Sequence, residues 1–174
     1  RPTYDQVVYK KDIELGGSRV IVIGKPGTGK SVLLFALVYA KKHLIPVGKV
    51  MSGSEDANNA CKKIFRSTFV FNEYDENEVK EFIRRQKIAK AHVENPWAIL
   101  LVDDCTEDTR IFKQKIQNYL FRLGRHIACL YILSIHCAFD VPPTIRNTVD
   151  GIFILRDPIL VNRKKVYENY ASII

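Results

Sequence analysis

The chain has 174 residues, enough for one domain with a full sheet core, because a chain of this size buries roughly 70% of its unfolded surface. Lys and Arg number 27 against 19 Asp and Glu, and the resulting +8 favours an anionic partner, nucleic acid first. Four cysteines show no C-x-x-C pair and no metal-like spacing with the four histidines, so reduced thiols are expected rather than a disulfide frame or a zinc site. The longest apolar runs, Trp97–Val102 and Ile127–Leu133, are too short to span a bilayer, and no leader-like segment opens the chain. A soluble intracellular protein with no membrane partner is expected. The sequence starts at Arg1 without a methionine and stops after Ile174, so residues 1–174 are read as one domain, either whole or a piece of a longer chain.

Val7-Val8-Tyr9 and the stretch Asp12–Gly17 suggest a lead-in strand and a turn before the first core strand, Arg19–Ile23. Next comes "GKPGTGKS", Gly24 to Ser31, which fits G-x-x-x-x-G-K-[ST] in full, with a strand before it and an apolar helix after it. Gly24, Gly27 and Gly29 let the backbone N–H groups of the loop, which also holds Lys25, Pro26 and Thr28, curl round a phosphate chain at a helix N-terminus. Lys30 is placed to reach the β- and γ-phosphates and Ser31 to take a position on Mg²⁺. ATP with Mg²⁺ is therefore the expected cofactor pair.

A helix is expected from Gly29 to about His43, ended by Pro46 and Gly48. Val47–Ser52 and Thr68–Asn72 read as strands, separated by the polar stretch Gly53–Lys63, a loop or short helix. Asp75–His92 reads as a helix, with acids at its start, Val79, Phe82 and Ile83 at core spacing, and cations towards its end. Ala98–Val102 is a continuous apolar run of the kind buried on both faces of a parallel sheet, and it ends in Asp103-Asp104. Asp103 suits a carboxylate that holds Mg²⁺ through water, and Asp104 a base that polarises the attacking water.

A helix over about Thr109–Arg125 leads to a strand at Ala128–Ser134, and Gly151–Leu155 is the last clear strand before a tail that is basic in its middle and has no assigned structure. Strands alternating with helices give an α/β fold of the P-loop NTPase type, a mainly parallel sheet flanked by helices with right-handed crossovers. Between the phosphate loop and the acid pair there is room for a complete βα unit. The acid-bearing strand is then not the sequence neighbour of the first, as in the additional-strand P-loop ATPases with sheet order 5-1-4-3-2. The D-x-x-G and N-K-x-D signatures of a GTPase are absent, and Asn147–Asp150 lacks the lysine.

"GGSRVIVIGKPGTGKSVLL", "WAILLVDDC", "LGRHIACLYILSIH" and "VPPTIRNTVDGIFIL" occur in this order between about Gly16 and Leu155. Together they resemble the genome-packaging ATPases of large double-stranded DNA viruses, the poxvirus-type branch of the FtsK–HerA superfamily. The resemblance implies an ATP-hydrolysing motor that translocates double-stranded DNA without regard to sequence, works as a homo-oligomeric ring, and docks on a capsid portal or vertex protein, with a nuclease as a further partner. It also implies residence at a cytoplasmic assembly site in the infected host cell or in the virion. In that family an arginine before the fourth strand acts on the neighbouring subunit's nucleotide, a role that falls on Arg125, with Arg122 and Arg146 as alternatives. The polar sensor at the end of the same strand, usually glutamine, falls on His136 or Ser134.

Lys62, Lys63 and Arg66 are the candidates for contact with DNA phosphates, which a ring motor grips without reading bases. Two other readings share the phosphate loop. A nucleoside or nucleotide kinase would need an acceptor pocket and an arginine-rich lid, for which no signal stands out, and a nucleotide-dependent switch or assembly module would have no use for Asp104.

Overall fold

The computed structural model describes residues 18–54, 61–105 and 109–170. Strands β1 (Arg19–Ile23), β2 (Val47–Ser52), β3 (Val70–Phe71), β4 (Ala98–Asp103), β5 (Cys129–Ile135) and β6 (Gly151–Ile154) form one sheet in the order β3-β2-β4-β5-β1-β6. Every pairing between neighbours is parallel. Read from β6 and leaving aside the two-residue β3, the order is the expected 5-1-4-3-2.

The central strands have apolar runs because both of their faces are covered. All residues of β4 and β5 are buried. Helix α1 (Lys30–Lys41) packs Leu34 and Val38 against Val22, Val50, Leu101 and Ile132 on one face. On the other face, α2 (Glu76–His92) and α3 (Lys115–Leu123) bring Val79, Phe82, Ile83, Leu120 and Phe121 onto Ile21, Leu100, Tyr131 and Leu133.

Helix α2 begins where Asp75 accepts from the N–H groups of Asn77 (2.7 Å) and Glu78 (3.4 Å), an N-cap that satisfies donors the helix leaves unpaired. Its buried face continues from Val79, Phe82 and Ile83 to Gln86, at helical spacing. Gln86 Nε2 donates to the carbonyls of Pro96 (2.8 Å), Ile127 (3.2 Å) and Ala128 (3.3 Å). It thereby holds the turn before β5, where Ala128 has a left-handed φ of 52°.

Several boundaries differ from expectation. The strand expected at Thr68–Asn72 shrinks to Val70–Phe71 because Ser67–Phe69 winds into a 3₁₀ turn. The helix expected over Thr109–Arg125 is a 3₁₀ turn (Thr109–Lys113), then α3, then a second 3₁₀ turn (Gly124–Ile127), the break falling where Gln114 adopts extended backbone. A short helix α4 (Pro143–Arg146) precedes β6, and the tail forms helix α5 (Leu160–Tyr170) with no buried residue. Without a buried stripe it left no apolar periodicity in the sequence. The expected lead-in strand lies outside the described residues, and of the polar stretch 53–63 only its ends are described, Cys61–Lys63 as a 3₁₀ turn.

The N-terminal edge of the sheet is closed by charge. Arg19 donates to Asp150 through Nε (2.9 Å), Nη2 (2.9 Å) and its backbone N–H (2.8 Å), and through Nη1 to the Phe121 carbonyl at 2.5 Å. Arg125 makes a second ion pair with Asp150. Among the described residues no helix is long and apolar enough to cross a membrane.

Candidate nucleotide site

At the C-terminal edge of the sheet, the ends of β1, β4 and β5 converge on the loop Gly24–Gly29. The loop is pinned at its base by the Gly24 N–H donating to the Ile135 carbonyl (3.1 Å) and closed by Thr28, whose Oγ1 (2.7 Å) and N–H (3.3 Å) both donate to the Lys25 carbonyl. Gly27 (φ 75°) and Gly29 (φ 92°) occupy the left-handed region that a side chain would strain. Gly29 is the N-cap of α1, and no side chain caps that end and no acid stands in its first turn. The first-turn N–H groups and the positive end of the helix are thus left for an anion.

Around this cradle the fold gathers five further polar groups. Lys30 is buried, and its Nζ donates to His136 Nδ1 at 2.6 Å. With the Lys30 ammonium as donor, Nδ1 accepts, which assigns the ring proton to Nε2 facing Asp104 Oδ1; the Gly24 carbonyl also lies 3.3 Å from Nδ1. His136 therefore links the lysine of the phosphate loop to the second acid of the pair. Burial pulls the Lys30 pKa down, and Asp104 and Asp103 oppose that shift.

Asp103 closes β4 and lies in register with Ser52 on one side and Ser134 on the other. It is 6% exposed, and burial raises its pKa, against the pull of the Ser134 hydroxyl and Lys30. Ser134 lies close enough to favour the ionised carboxylate, yet its buried Oγ meets no partner at full hydrogen-bonding geometry. Asp104 has φ 55°, an uncommon conformation for a residue with a side chain. The Gly53 N–H and Cys105 Sγ both donate to the Asp103 carbonyl, at 3.1 and 3.3 Å, and so hold the turn that presents Asp104. An open cleft of about 560 Å³ adjoins Asp104, lined by Gly53, Glu73, Tyr74, Cys105 and Gln114.

These groups fit a nucleotide with Mg²⁺. A buried carboxylate, a buried hydroxyl beside it with no partner at full hydrogen-bonding geometry and an uncapped helix end are what a cation and a polyphosphate would complete. Asp103 and the exposed Ser31 are the residues that would hold the metal.

The fold thus brings Lys30, Asp103, Asp104, Ser134 and His136 to one place, and it puts the arginines elsewhere. Arg125 precedes β5, whose seven residues separate it from His136 by about 23 Å. Arg122 is exposed on α3. Arg146 donates through Nη1 to Asn169 Oδ1 (2.8 Å) and lies over the Tyr170 ring at 5.2 Å, so it is engaged with α5. Lys62, Lys63 and Arg66 are exposed near the β2–β3 edge. Two acids that the sequence did not single out, Asp150 and Asp157, meet Arg19 and Lys25 across 131 and 132 residues, and no local pattern signals such pairs.

No known protein-family model matches the chain. It is 53% identical over 161 residues to the uncharacterized protein 075L of Invertebrate iridescent virus 6, covering 92% of this chain but 62% of that relative's length. Among solved structures it is similar to the genome packaging NTPase B204 of Sulfolobus turreted icosahedral virus 2 in complex with AMPPCP, with a TM-score of 0.64 and 18% identity over 91% of this chain and 85% of that one. ATPases 2 and 3 of EssC from Geobacillus thermodenitrificans give a TM-score of 0.63 at 14% identity, over 87% of this chain and 34% of that one. With the phosphate loop, the parallel sheet and its order, these likenesses establish that the chain has the fold of the P-loop NTPases.

Proposed function

We propose that the chain is an ATP-hydrolysing motor domain that packages viral double-stranded DNA, acting as a single P-loop ATPase domain, residues 1–174, within a homo-oligomeric ring. The observation that carries the reading is the junction Lys30–His136–Asp104 beside buried Asp103: a binding protein needs the loop, but a hydrolase needs a base held at the γ-phosphate end. The packaging role is supported by likeness in fold to a viral genome-packaging NTPase and by a relative from an iridescent virus.

In this reading the loop N–H groups and Lys30 bind and orient the polyphosphate, and Asp103 with Ser31 holds Mg²⁺, which when bound neutralises phosphate charge. Asp104 takes the proton of the attacking water, and His136 orients Asp104 through Nε2–H. Arg125, which lies on the far edge of the sheet from its own loop, acts on the nucleotide of a neighbouring subunit. DNA is held through its phosphates by exposed cations such as Lys62, Lys63 and Arg66, and the ring works at the capsid vertex in the infected cell.

The test is ATP turnover with and without double-stranded DNA of unrelated sequences. Stimulation by all of them at low salt, fading as salt rises, is the expected result. Turnover indifferent to DNA refutes the motor, and transfer of phosphate to a small acceptor would make the chain a kinase.

A further inference from the structure

One ion pair ties the phosphate loop to the tail helix. Lys25 Nζ lies 3.0 Å from Asp157 Oδ1, the two side chains 35% and 20% exposed. Asp157 also shapes the entry into α5, accepting from the Ile159 N–H (2.8 Å) and Asn162 Nδ2 (3.0 Å). Those contacts, the Ile159 N–H first, hold its carboxyl below the usual carboxylate range, so it stays ionised beside Lys25.

The rest of α5 is lightly held. None of its residues is buried; Val166 and Tyr170 rest against the core, Arg146 pairs with Asn169, and the Tyr170 hydroxyl donates to the Ala138 carbonyl. A cavity of about 90 Å³ lies under the tether, between Gly24, Lys25, Phe139, Leu155 and Val166. An element with so few buried contacts opens at low cost.

Lys25 also belongs to the loop that would wrap the phosphates, and a polyphosphate offers it several negative charges where Asp157 offers one. We infer that Asp157 competes with bound nucleotide for Lys25, so that nucleotide binding draws Lys25 off Asp157 and loosens α5 from the phosphate loop. The inference rests on the nucleotide reading above. Coupling of this kind is reciprocal: whatever docks α5 opposes nucleotide, and whatever frees α5 favours it.

Two substitutions then have opposite effects on affinity and the same effect on the helix. Asp157→Asn keeps an acceptor for the Ile159 N–H but removes the competing charge, and should tighten binding of Mg²⁺–AMPPCP by about two- to fivefold, the scale of a partly exposed ion pair. Lys25→Met should weaken binding, and both variants should speed amide exchange across 160–170 without nucleotide. In the unsubstituted protein AMPPCP should slow exchange over 24–31 and speed it over 160–170. A merely structural tether would leave Asp157→Asn binding equal to or weaker than the original, and that result overturns the proposal. So does protection of 24–31 with 160–170 unchanged, a measurement that needs no variant to fold. If AMPPCP neither binds nor protects 24–31, the nucleotide reading itself fails, and the proposal with it.

Discussion

Arg125→Ala and Asp150→Ala, compared, separate a structural role for Arg125 from a catalytic one. Asp150 receives the Arg19 fork at 2.9 and 2.9 Å and the Arg19 backbone N–H at 2.8 Å, and all three contacts remain when Arg125 is truncated. The Arg125 side chain is 36% exposed, so its ion pair is screened and its loss costs about 1 kcal/mol or less. At ~2.1 cal/mol/K per residue, a chain of 174 residues has an unfolding entropy of about 0.37 kcal/mol/K, which puts the change in Tm below about 3 °C. Asp150→Ala instead strands Arg19, whose side chain is 9% exposed, and breaking such a buried pair costs about 3–5 kcal/mol, or about 8–14 °C. Scanning calorimetry reads the two shifts, and ATP turnover is measured on the same samples. With Arg125 acting in trans, Arg125→Ala keeps its Tm and binds AMPPCP, yet turns over on the order of 10³-fold more slowly. Mixing it with Asp104→Asn subunits should restore part of the activity, because some interfaces then join an intact acid to an intact arginine. If Arg125→Ala melts as early as Asp150→Ala and its folded fraction turns over normally, Arg125 is a structural residue and the assignment is wrong.

Lys30→Ala should abolish tight binding of Mg²⁺–AMPPCP in calorimetric titration, and binding at the original strength would remove the phosphate-loop assignment. Asp104→Asn should lower turnover far more than nucleotide affinity, since the lost carboxylate acts on water and not on the ground-state nucleotide; the comparison of kcat with AMPPCP affinity decides it. Burial pushes the Cys105 and Cys129 thiols up to about 12, so both stay protonated at pH 8. Iodoacetamide should therefore modify both slowly in the folded protein and quickly in urea, as read by peptide mass mapping.

What the sequence made legible was local. The glycines of Gly24–Gly29, the apolar run ending at Asp103 and the acids capping α2 carry their cause within a few residues, and the sheet order followed from the βα unit between loop and acid pair. What stayed hidden depends on topology. Arg19 and Asp150 meet because β1 and β6 are parallel neighbours and their N-terminal ends coincide, while Lys25 and Asp157 meet because the C-terminal ends of the same two strands do. Strand polarity also decides the arginines. A residue just before β5 must lie at the opposite edge from one just after it, so Arg125 and His136, eleven positions apart, cannot serve the same nucleotide in one subunit.

The histidine at position 136 has a physical explanation that can be tested. The site asks one side chain to accept from the Lys30 ammonium and donate to the Asp104 carboxylate. Imidazole does this with Nδ1 and Nε2–H, and a carboxamide does it with Oε1 and Nε2–H, so the two residues share a donor–acceptor polarity that few others offer. His136→Gln should consequently retain most of the ATP turnover. His136→Leu, similar in bulk but with neither group, leaves Lys30 and Asp104 without their bridge and should lose about 10²-fold or more in kcat, the scale of a displaced catalytic base. Equal loss in both variants would mean that the site needs the imidazole itself, and the bridging role assigned to His136 would fall.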